Sequence, residues 1–384
     1  ASHMIAELLA DGKRVGVTSN GHKAVVNLLR ACGSAVRNRG GRLNGVKVGD
    51  EHEGDLYHEN PDLVHVKSSG DALGAFTEGV IGGTAWVFSR DDWAKQLDHL
   101  FVDEAGQVPL ANVIAMSRST KNLVLLGDQM QLEQPTQGFH PGDSGLSALQ
   151  YAMKDVANSS EDVTLFHAVV PSDYGIFLGE SRRMHPSVCQ FISESVYEDR
   201  LRSYVECSNQ KIGVSEAADL VPCEHGIVFS GVEHDGNVQQ CEEEAERVKQ
   251  IFDELVGRMF TDSSGKSRPL GLPDFLFIAP YNAQVRCLQA TLPAGARVGS
   301  VDKFQGQEAP VCILSLCSSF GEYGSRGLGF ILDQNRINVA ISRAQCLAVV
   351  VGDPRIANTP AGSLDEMKLL NLYCKLQRVR HVNR

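Results

Sequence analysis

The residues with the clearest chemical potential are the carboxylates of His99-Leu-Phe-Val-Asp-Glu-Ala-Gly-Gln107. Leu100, Phe101 and Val102 read as the end of a buried strand, and Asp103 and Glu104 stand where that strand stops. The C-terminal ends of parallel strands are where α/β sheets bind ligands. There one carboxylate can hold Mg²⁺ through water while its neighbour activates an attacking water. Alone, the segment is equally an acidic turn after a strand. A second polar turn, Leu126-Gly-Asp-Gln-Met-Gln-Leu-Glu-Gln-Pro135, follows the next apolar run. Asp128, Gln129 and Gln131 sit at its mouth, where an amide can sense a terminal phosphate.

Three more motifs lie in the C-terminal half: Ser181-Arg-Arg-Met-His-Pro186, Ser300-Val-Asp-Lys-Phe-Gln-Gly-Gln-Glu308 and Asn335-Arg-Ile-Asn-Val-Ala-Ile-Ser-Arg343. Arg336, Ala340 and Arg343 fall at i, i+4 and i+7, so they share one helical face. A guanidinium there can reach phosphate across a cleft, and such fingers raise rates by roughly 10³–10⁵ in NTPases. For any single arginine a surface salt bridge is the plainer role.

The elements that must position these residues alternate between strand and helix, which indicates parallel sheets. Arg14 to Asn20 reads as a strand entering a loop, followed by a helix from His22 to Ala31 with Ala24, Val25, Leu28 and Leu29 on one face. Val80 to Phe88 reads as a strand with an internal loop, and Asn122 to Gly127 as another. Leu110 to Ser117 is expected to be helical. In the second half, strands are expected at Gly226–Ser230, Asp274–Ala279, Val311–Leu316 and Cys346–Val351, with helices at Glu242–Met259 and Asp333–Ala344. From Gly33 to Leu73 the apolar rhythm is lost: a basic stretch precedes an acidic one, which suggests an inserted subdomain or mobile loop. His52, His58 and His65 near these acids can bind metal, although a solvated charge run is the plainer reading.

The 384 residues are enough for two domains. Residues 1–4 read as an expression scar. A first domain is expected over 5–160, with the inserted part at about 33–75, then a linker over 161–174 and a second domain over 175–384. Hydrophobic content of 42% and charged content of 22% are those of a soluble globular protein. No apolar run reaches the ~18 residues of a membrane span, and no secretory signal is present. The ten cysteines include no Cys-x-x-Cys pair, which suits reduced thiols in a cytosolic protein. A net charge of −11 excludes a uniformly basic surface but leaves room for a local basic groove.

The order and spacing of the motifs resemble superfamily 1 helicases, in the branch that holds the nonsense-mediated-decay RNA helicase and the replication nuclease-helicases. Arg14 to Leu29 is similar to that family's motif Ia, Asp103 to Gln107 to motif II and Gly127 to Pro135 to motif III. Arg183 to Pro186 resembles motif IV, Val301 to Glu308 motif V and Asn335 to Ala344 motif VI. Ala279-Pro-Tyr-Asn-Ala-Gln284 is similar to a further segment of the family's second domain. Thr84-Ala-Trp86 and His140-Pro141 resemble bacterial proteins with a RecB-like nuclease module ahead of such a helicase.

The resemblance implies an α/β fold of two RecA-like parallel-sheet domains in tandem, a P-loop NTPase core. It implies ATP and Mg²⁺ as cofactors, hydrolysis in a cleft between the domains, and translocation 5′→3′ along a single nucleic-acid strand, DNA rather than RNA. An upstream nuclease module, a cytoplasmic location and no membrane are also expected. Asp103 would hold Mg²⁺ through water, Glu104 would be the general base, Gln131 would sense the γ-phosphate, and Arg183 and Arg343 would be fingers. Asp128, Arg182, Tyr281, Gly306, Glu308 and Arg336 would lie at the nucleotide, Glu308 accepting from ribose hydroxyls. Thr18, Ser19, Asn20, Thr84, Val301, Asp302 and Gln305 would lie along the nucleic acid, Val301 to Gln305 coupling the two sites.

Two departures stand out. The family usually has an aromatic before the motif IV arginine, and here Arg182 stands there; a guanidinium plane can also stack on a base. The larger departure is that nothing reads G-x-x-x-x-G-K-[ST]. The nearest segment, Ser264-Gly-Lys-Ser267, has Phe260 in the first glycine position and reads as a polar loop. By the resemblance, the phosphate-binding loop lies just upstream of the helix ending at Leu9, so the chain is expected to start after it. The family strand before that loop sits beside the Asp103 strand, so an unpaired edge or a recruited partner strand is expected. ATP hydrolysis by this chain alone is expected to be negligible. The alternatives are a nucleic-acid-binding or regulatory module with a dead nucleotide site, and a nuclease using Asp103 and Glu104, for which no further acidic and lysine constellation stands nearby.

Overall fold

The computed structural model describes residues 1–384 except 51–53, 134–137, 139, 155–165, 216–217, 323–326, 380 and 383–384. The chain divides into two units, Ala1–His167 and Ala168–Arg384.

The first unit runs α1 (Ser2–Ala10), β1 (Val15–Thr18), α2 (His22–Arg37), β2 (Gly45–Val48), α3 (Gly54–Glu59), β3 (Leu63–Val66), α4 (Ala72–Ala75), β4 (Val80–Gly82), α5 (Ala85–Phe88), β5 (Leu97–Val102), α6 (Leu110–Ser117), β6 (Thr120–Leu125) and α7 (Ala148–Ala152). Its six strands form one sheet in the order β3-β2-β4-β1-β5-β6, and every pairing is parallel. Alternate side chains feed two apolar layers, as the pleat requires. Val15, Val17, Val80 and Phe101 pack with α1 and α2 on one face. Val46, Val48, Ile81, Leu100 and Val102 pack with Phe88, Trp93 and Met116 on the other.

Three expectations are corrected here. The stretch 33–73 is no insertion: α2 continues to Arg37, and β2 and β3 complete the sheet beside β4. These strands have four residues each and few apolar positions, so they leave no readable period. Of the nearby histidines, His58 is exposed, His65 Nε2 lies 2.6 Å from Gly49 O, and His52 lies outside the described residues. Val80 to Phe88 is not one strand; β4 stops at Gly82, and Thr84 opens the short helix α5. Finally, the Asp103 strand is not left open, because β5 pairs with β1 on one side and β6 on the other. The sheet ends in β3 and β6, and the edge on the Asp103 side is β6, whose Leu123 is 37% exposed.

The second unit runs β7 (Glu180–Ser181), α8 (Pro186–Val196), β8 (Arg202–Ser203), β9 (Lys211–Ile212), β10 (Gly226–Gly231), α9 (Glu242–Leu255), β11 (Met259–Thr261), β12 (Ser267–Pro269), β13 (Phe275–Ile278), α10 (Asn282–Thr291), β14 (Val298–Gly299), β15 (Ala309–Ser315), α11 (Gly327–Ile331), α12 (Gln334–Ser342), β16 (Ala344–Gly352), α13 (Leu364–Val379) and β17 (His381–Val382). The main sheet has the order β14-β13-β15-β16-β10-β17, again all parallel. β15 is buried throughout and β16 almost so, as central parallel strands covered on both faces must be. The Ser264–Lys266 segment is the turn of an antiparallel hairpin between β11 and β12, a polar loop as expected.

A polar knot is buried in this unit. The Glu244 carboxylate, fully buried near the start of α9, lies 3.0 Å from His234 Nε2 and accepts from Ser315 Oγ at 2.6 Å and Cys317 N at 3.0 Å. Cys241 Sγ accepts from Glu244 N, and His234 Nδ1 meets Ser319 Oγ at 2.8 Å. These bonds tie α9 to the C-terminal end of β15. Among the described residues, His234, Cys241 and Glu244 are the group whose ligand atoms all lie within 4.8 Å of one another, yet each already has a protein partner.

The position of the open edge makes a measurable contrast. Leu100→Ala, in the buried middle of β5, is expected to destabilise the first unit by ~2–5 kcal/mol. Leu123→Ala on β6 is expected to stay within about 0.5 kcal/mol of the parent. Urea unfolding followed by the fluorescence of buried Trp93 distinguishes the two; equal losses would place a covering partner over β6.

Candidate functional site

In the first unit the site grows from the C-terminal ends of β5, β6 and β1. Asp103 follows β5 directly, and its N–H donates to Thr18 O at 2.8 Å, so the carboxylate is fixed at the strand end. Glu104 turns the chain at once, with φ 53° and ψ 41°. A glutamate in the left-handed region is uncommon and costs of order 1–3 kcal/mol. Ala105 N then donates to Leu126 O at 2.8 Å, pinning this loop to the one after β6. Two glycines permit the approach. A Cβ on Gly106 would lie 2.6 Å from Asp128 O, and one on Gly127 would lie 2.8 Å from Ala105 N.

Asp128 organises the second loop. Its Oδ1 accepts from Met130 N and its Oδ2 from Gln131 Nε2, both at 2.9 Å. Gln131 is therefore held by its amide nitrogen on Asp128. Burial raises the Asp103 carboxyl above the usual range, against the lowering by the Glu104 N–H and the chain's N-terminal charge. Among the described residues Asp103 makes no ion pair. A half-buried carboxylate short of cationic charge is a fitting ligand for a divalent ion. The donors for a triphosphate are a different matter, since no glycine-rich loop is present to supply them.

The residues expected along the nucleic acid divide by exposure. Thr18 and Ser19 are buried at the end of β1. Asn20 is exposed, and its side-chain N–H₂ donates to Gln107 O. Thr84 is half-buried at the head of α5. Two positions on, Trp86 is 77% exposed. The sequence offers Trp86 only as part of a motif; that the strand stops at Gly82 is what turns the indole outward.

In the second unit the expected nucleotide residues fall into two groups at opposite ends of the sheet. Arg183, Glu308 and Arg343 meet at the N-terminal ends of β15 and β16, where Ala309 pairs with Ala344. Arg183 Nε donates to Glu308 Oε2 at 2.6 Å and Nη1 to Ser342 O at 3.1 Å. Gln345 Nε2 donates to Glu308 Oε1 at 2.8 Å. Burial pushes the Glu308 carboxyl up, but the bonds from Arg183 and Gln345 outweigh it and leave it lowered. Glu308 is thus already engaged at both oxygens. Arg343 is 3% exposed, and its Nε donates to Val339 O at 3.1 Å. Gly306 sits nearby with φ 74°, in the turn ahead of β15.

Arg182 is exposed, 3.4 Å from Glu180 and with its guanidinium 4.6 Å from the centre of the Tyr204 ring. The aromatic missing at position 182 is thus present in space, supplied from beyond β8. The other group lies at the C-terminal ends of β13 and β14. Tyr281, Asp302 and Arg336 line a pocket of about 350 Å³ together with Arg286 and Phe330, which the sequence reading missed. Val301 is buried beside it, and Gln305 is half-buried.

A family model described as an AAA domain matches residues 162–355. The DNA polymerase alpha-associated DNA helicase A of Saccharomyces cerevisiae is 28% identical over 289 residues, covering 69% of this chain and 39% of that protein. The NFX1-type zinc finger-containing protein 1 of Homo sapiens is 28% identical over 273 residues, covering 69% and 13%. The DNA replication ATP-dependent helicase/nuclease dna2 of Schizosaccharomyces pombe is 23% identical over 394 residues, covering 91% and 25%. The chain thus spans 13% to 39% of the length of these relatives. Among solved structures, Arterivirus nonstructural protein 10 (helicase) in complex with DNA has a TM-score of 0.45 at 13% identity, over 93% of this chain and 59% of that one.

The raised Asp103 carboxyl yields a prediction with a definite sign. The folded state binds this proton more tightly than the unfolded chain does, so the associated stability is full below the unfolded value of about 3.9 and is lost as pH rises through the folded value. Asp103→Asn is therefore expected to raise the unfolding midpoint at pH 7.5, with the gain shrinking toward zero near pH 4. A variant less stable than the parent at pH 7.5 would show that Asp103 is instead held by favourable charge.

Proposed function

The chain belongs to the AAA domain family, and on that premise we propose that it is the two-domain core of a superfamily 1 helicase, a motor driven by ATP on a single nucleic-acid strand. The observation that carries this reading is the placement of Asp103–Glu104 against the Asp128–Gln131 loop at one edge of a parallel sheet. A carboxylate pair beside an amide held on the Asp128 carboxylate suits hydrolysis of a phosphoanhydride. The names of the yeast relatives as helicases add support.

In this proposal Asp103 would hold Mg²⁺ through water, and the ion would supply positive charge for the phosphates. Glu104 would be the general base for an attacking water. Gln131 keeps one face of its amide on Asp128 and reports the phosphate with the other. ATP with Mg²⁺, when bound, supplies the free energy of hydrolysis. Arg183 and Arg343, in the second unit, would be the residues that meet phosphate charge, as the family resemblance implies. To do so, Arg183 would have to leave Glu308 and Arg343 would have to leave its buried position. Finer parts of the same proposal are DNA as the strand, 5′→3′ movement and a nuclease module in the same native chain. The last two follow the helicase branch and the nuclease-helicase resemblance of Thr84-Ala-Trp86.

A second reading is a strand-binding module with a dead nucleotide site, favoured by the lack of a G-x-x-x-x-G-K-[ST] segment. Both readings require strand binding, and the chain carries its own reporter. Trp86 is exposed and Trp93 is buried, and these are its two tryptophans. A single-stranded 20-mer is expected to quench Trp86 fluorescence saturably, and Trp86→Phe to reduce the change. Trp86→Ala is expected to cost ~1–3 kcal/mol of binding. If neither DNA nor RNA oligonucleotides bind, the motor reading and the module reading both fail.

ATP turnover separates them from a fully equipped motor. This chain is expected to hydrolyse ATP no faster than buffer, with or without strand, because the backbone N–H groups and lysine that grip the phosphates are missing. Strand-stimulated turnover of ~1 s⁻¹ or more would show that another segment does this work.

A further inference from the structure

The polar knot at the start of α9 brings together three side chains of different ligand type. His234 comes from the loop after β10, Cys241 is the N-cap of α9, and Glu244 follows three residues later. An N-cap residue and the one three positions on reach each other across the first helical turn, so Sγ and the carboxylate are neighbours. One ring nitrogen, Sγ and one carboxylate oxygen all lie within 4.8 Å of one another. The His234 and Glu244 side chains are wholly shielded from solvent, and Cys241 is buried with them.

The surrounding bonds engage the other atoms of these groups. Glu244 Oε2 accepts from both Ser315 Oγ and Cys317 N. His234 Nδ1 meets Ser319 Oγ, which also accepts from Asn237 N. Gln284 clamps the Cys241 backbone: it accepts from Cys241 N at 2.8 Å and donates to Cys241 O at 3.0 Å and Ser315 Oγ at 2.9 Å. His234 Nε2 and Glu244 Oε1 are left facing each other at 3.0 Å. Beside them is Sγ, a weak hydrogen-bonding atom with its two contacts, to Glu243 Oε2 and from Glu244 N, at 3.3 Å. Bonds that fix the ring, the carboxylate and the backbone while leaving three donors convergent are the supporting shell of a metal centre.

The donor set selects the ion. Nitrogen, sulfur and oxygen together suit Zn²⁺, whereas Mg²⁺ and Ca²⁺ take oxygen alone. A thiolate and a carboxylate balance a divalent charge beside a neutral imidazole. Among the described residues no lysine or arginine pairs with Glu244, so the ion would bring positive charge that this buried carboxylate otherwise meets only in His234. Zn²⁺ bonds of ~2.0–2.1 Å at a tetrahedral angle place nitrogen and oxygen about 3.3 Å apart, so the 3.0 Å contact opens by only about 0.3 Å. Glu243 is exposed, and its Oε2 near Sγ puts a fourth ligand on the solvent side. The positive end of the helix opposes a cation, but Glu242, Glu243 and Glu244 fill its first turn and offset that.

We propose that His234, Cys241, Glu243 and Glu244 form a structural site for a divalent cation of the zinc class. The ion locks the start of α9 to the loop after β10 and the end of β15, and its binding releases the Cys241 thiol proton to solvent. The proposal stands apart from the nucleotide and strand readings.

The test uses the whole chain, dialysed against EDTA under reducing conditions, with Co²⁺ as a visible probe and Zn²⁺ as competitor. Stoichiometric Co²⁺ is expected to give a thiolate-to-metal charge-transfer band that Zn²⁺ abolishes, and Zn²⁺ is expected to raise the melting midpoint. Cys241→Ser loses the band, whereas Cys374→Ser, at a half-buried thiol on α13, keeps it. Ser319→Ala, which removes the hydroxyl beside Nδ1, weakens Zn²⁺ binding ~10–100-fold. Glu244→Gln retains an oxygen for Ser315 and Cys317 but loses the charge, and weakens binding at least as much. Circular dichroism of the metal-free variants establishes that they fold; if Cys241→Ser does not, Glu244→Gln and Ser319→Ala decide the matter. A parent with neither band nor rise in midpoint overturns the proposal. So does a band that survives in Cys241→Ser, since another thiol then holds the ion, and so does unchanged Zn²⁺ affinity in both Glu244→Gln and Ser319→Ala.

Discussion

The first unit depends on how closely two backbones can approach. The loops after β5 and β6 touch where Gly106 faces Asp128 O and Gly127 faces Ala105 N, at distances no Cβ tolerates. Because they touch, Asp103, Glu104, Asp128 and Gln131 share one edge of the sheet. The same contact explains the backbone of Glu104. The chain must leave Thr18 O at Asp103 and reach Leu126 O two residues later. A left-handed residue between them makes the turn in that distance. The strain falls on the residue proposed as general base, where it is compensated by the hydrogen bonds on either side.

The second unit obeys a different constraint, the length of a crossover helix. α12 connects the end of the sheet that carries the pocket to the end that carries the Arg183–Glu308 pair. Arg336 and Arg343 occupy one stripe of it, as their spacing demands. Seven residues also separate them by about 10 Å along the axis. One stripe therefore serves two ends, and the two arginines meet different neighbours: an aromatic ring and a pocket for Arg336, carbonyls and burial for Arg343.

Legibility in the sequence followed the density of apolar residues. β5, β10, β13, β15 and β16 are runs of Leu, Val, Ile and Phe, and their buried faces follow from that alone. β2 and β3 are as much part of a sheet but hold four residues each, flanked by charge, so they pass for a loop. The carboxylates at the strand ends were legible because a strand end and an acidic pair are adjacent in sequence. The Glu244 knot was not, since its partners Ser315 and Cys317 come from more than 70 residues away. The same holds for Tyr204 under Arg182, and for Arg286 and Phe330 in the pocket: a residue's partners across the sheet leave no trace in its own neighbourhood.

The two proposed fingers are held with unequal strength, and this bears on how the site would work. Arg183 faces a carboxylate whose proton affinity has been lowered by that very contact, in a short bond at a partly buried position. A charge-assisted bond of this kind is about twice as strong as a neutral one. Arg343 is more deeply buried, with its Nε on Val339 O at 3.1 Å and its charge acting on the same Glu308 carboxylate. To meet a phosphate, Arg343 would have to emerge from a packed position. Arg183 is more accessible but paired with Glu308. A phosphate that drew Arg183 away would leave Glu308 with its bond from Gln345 and the charge of Arg343. Under the proposed mechanism, release of Arg183 and freeing of the Glu308 carboxylate oxygen it occupies would be one event.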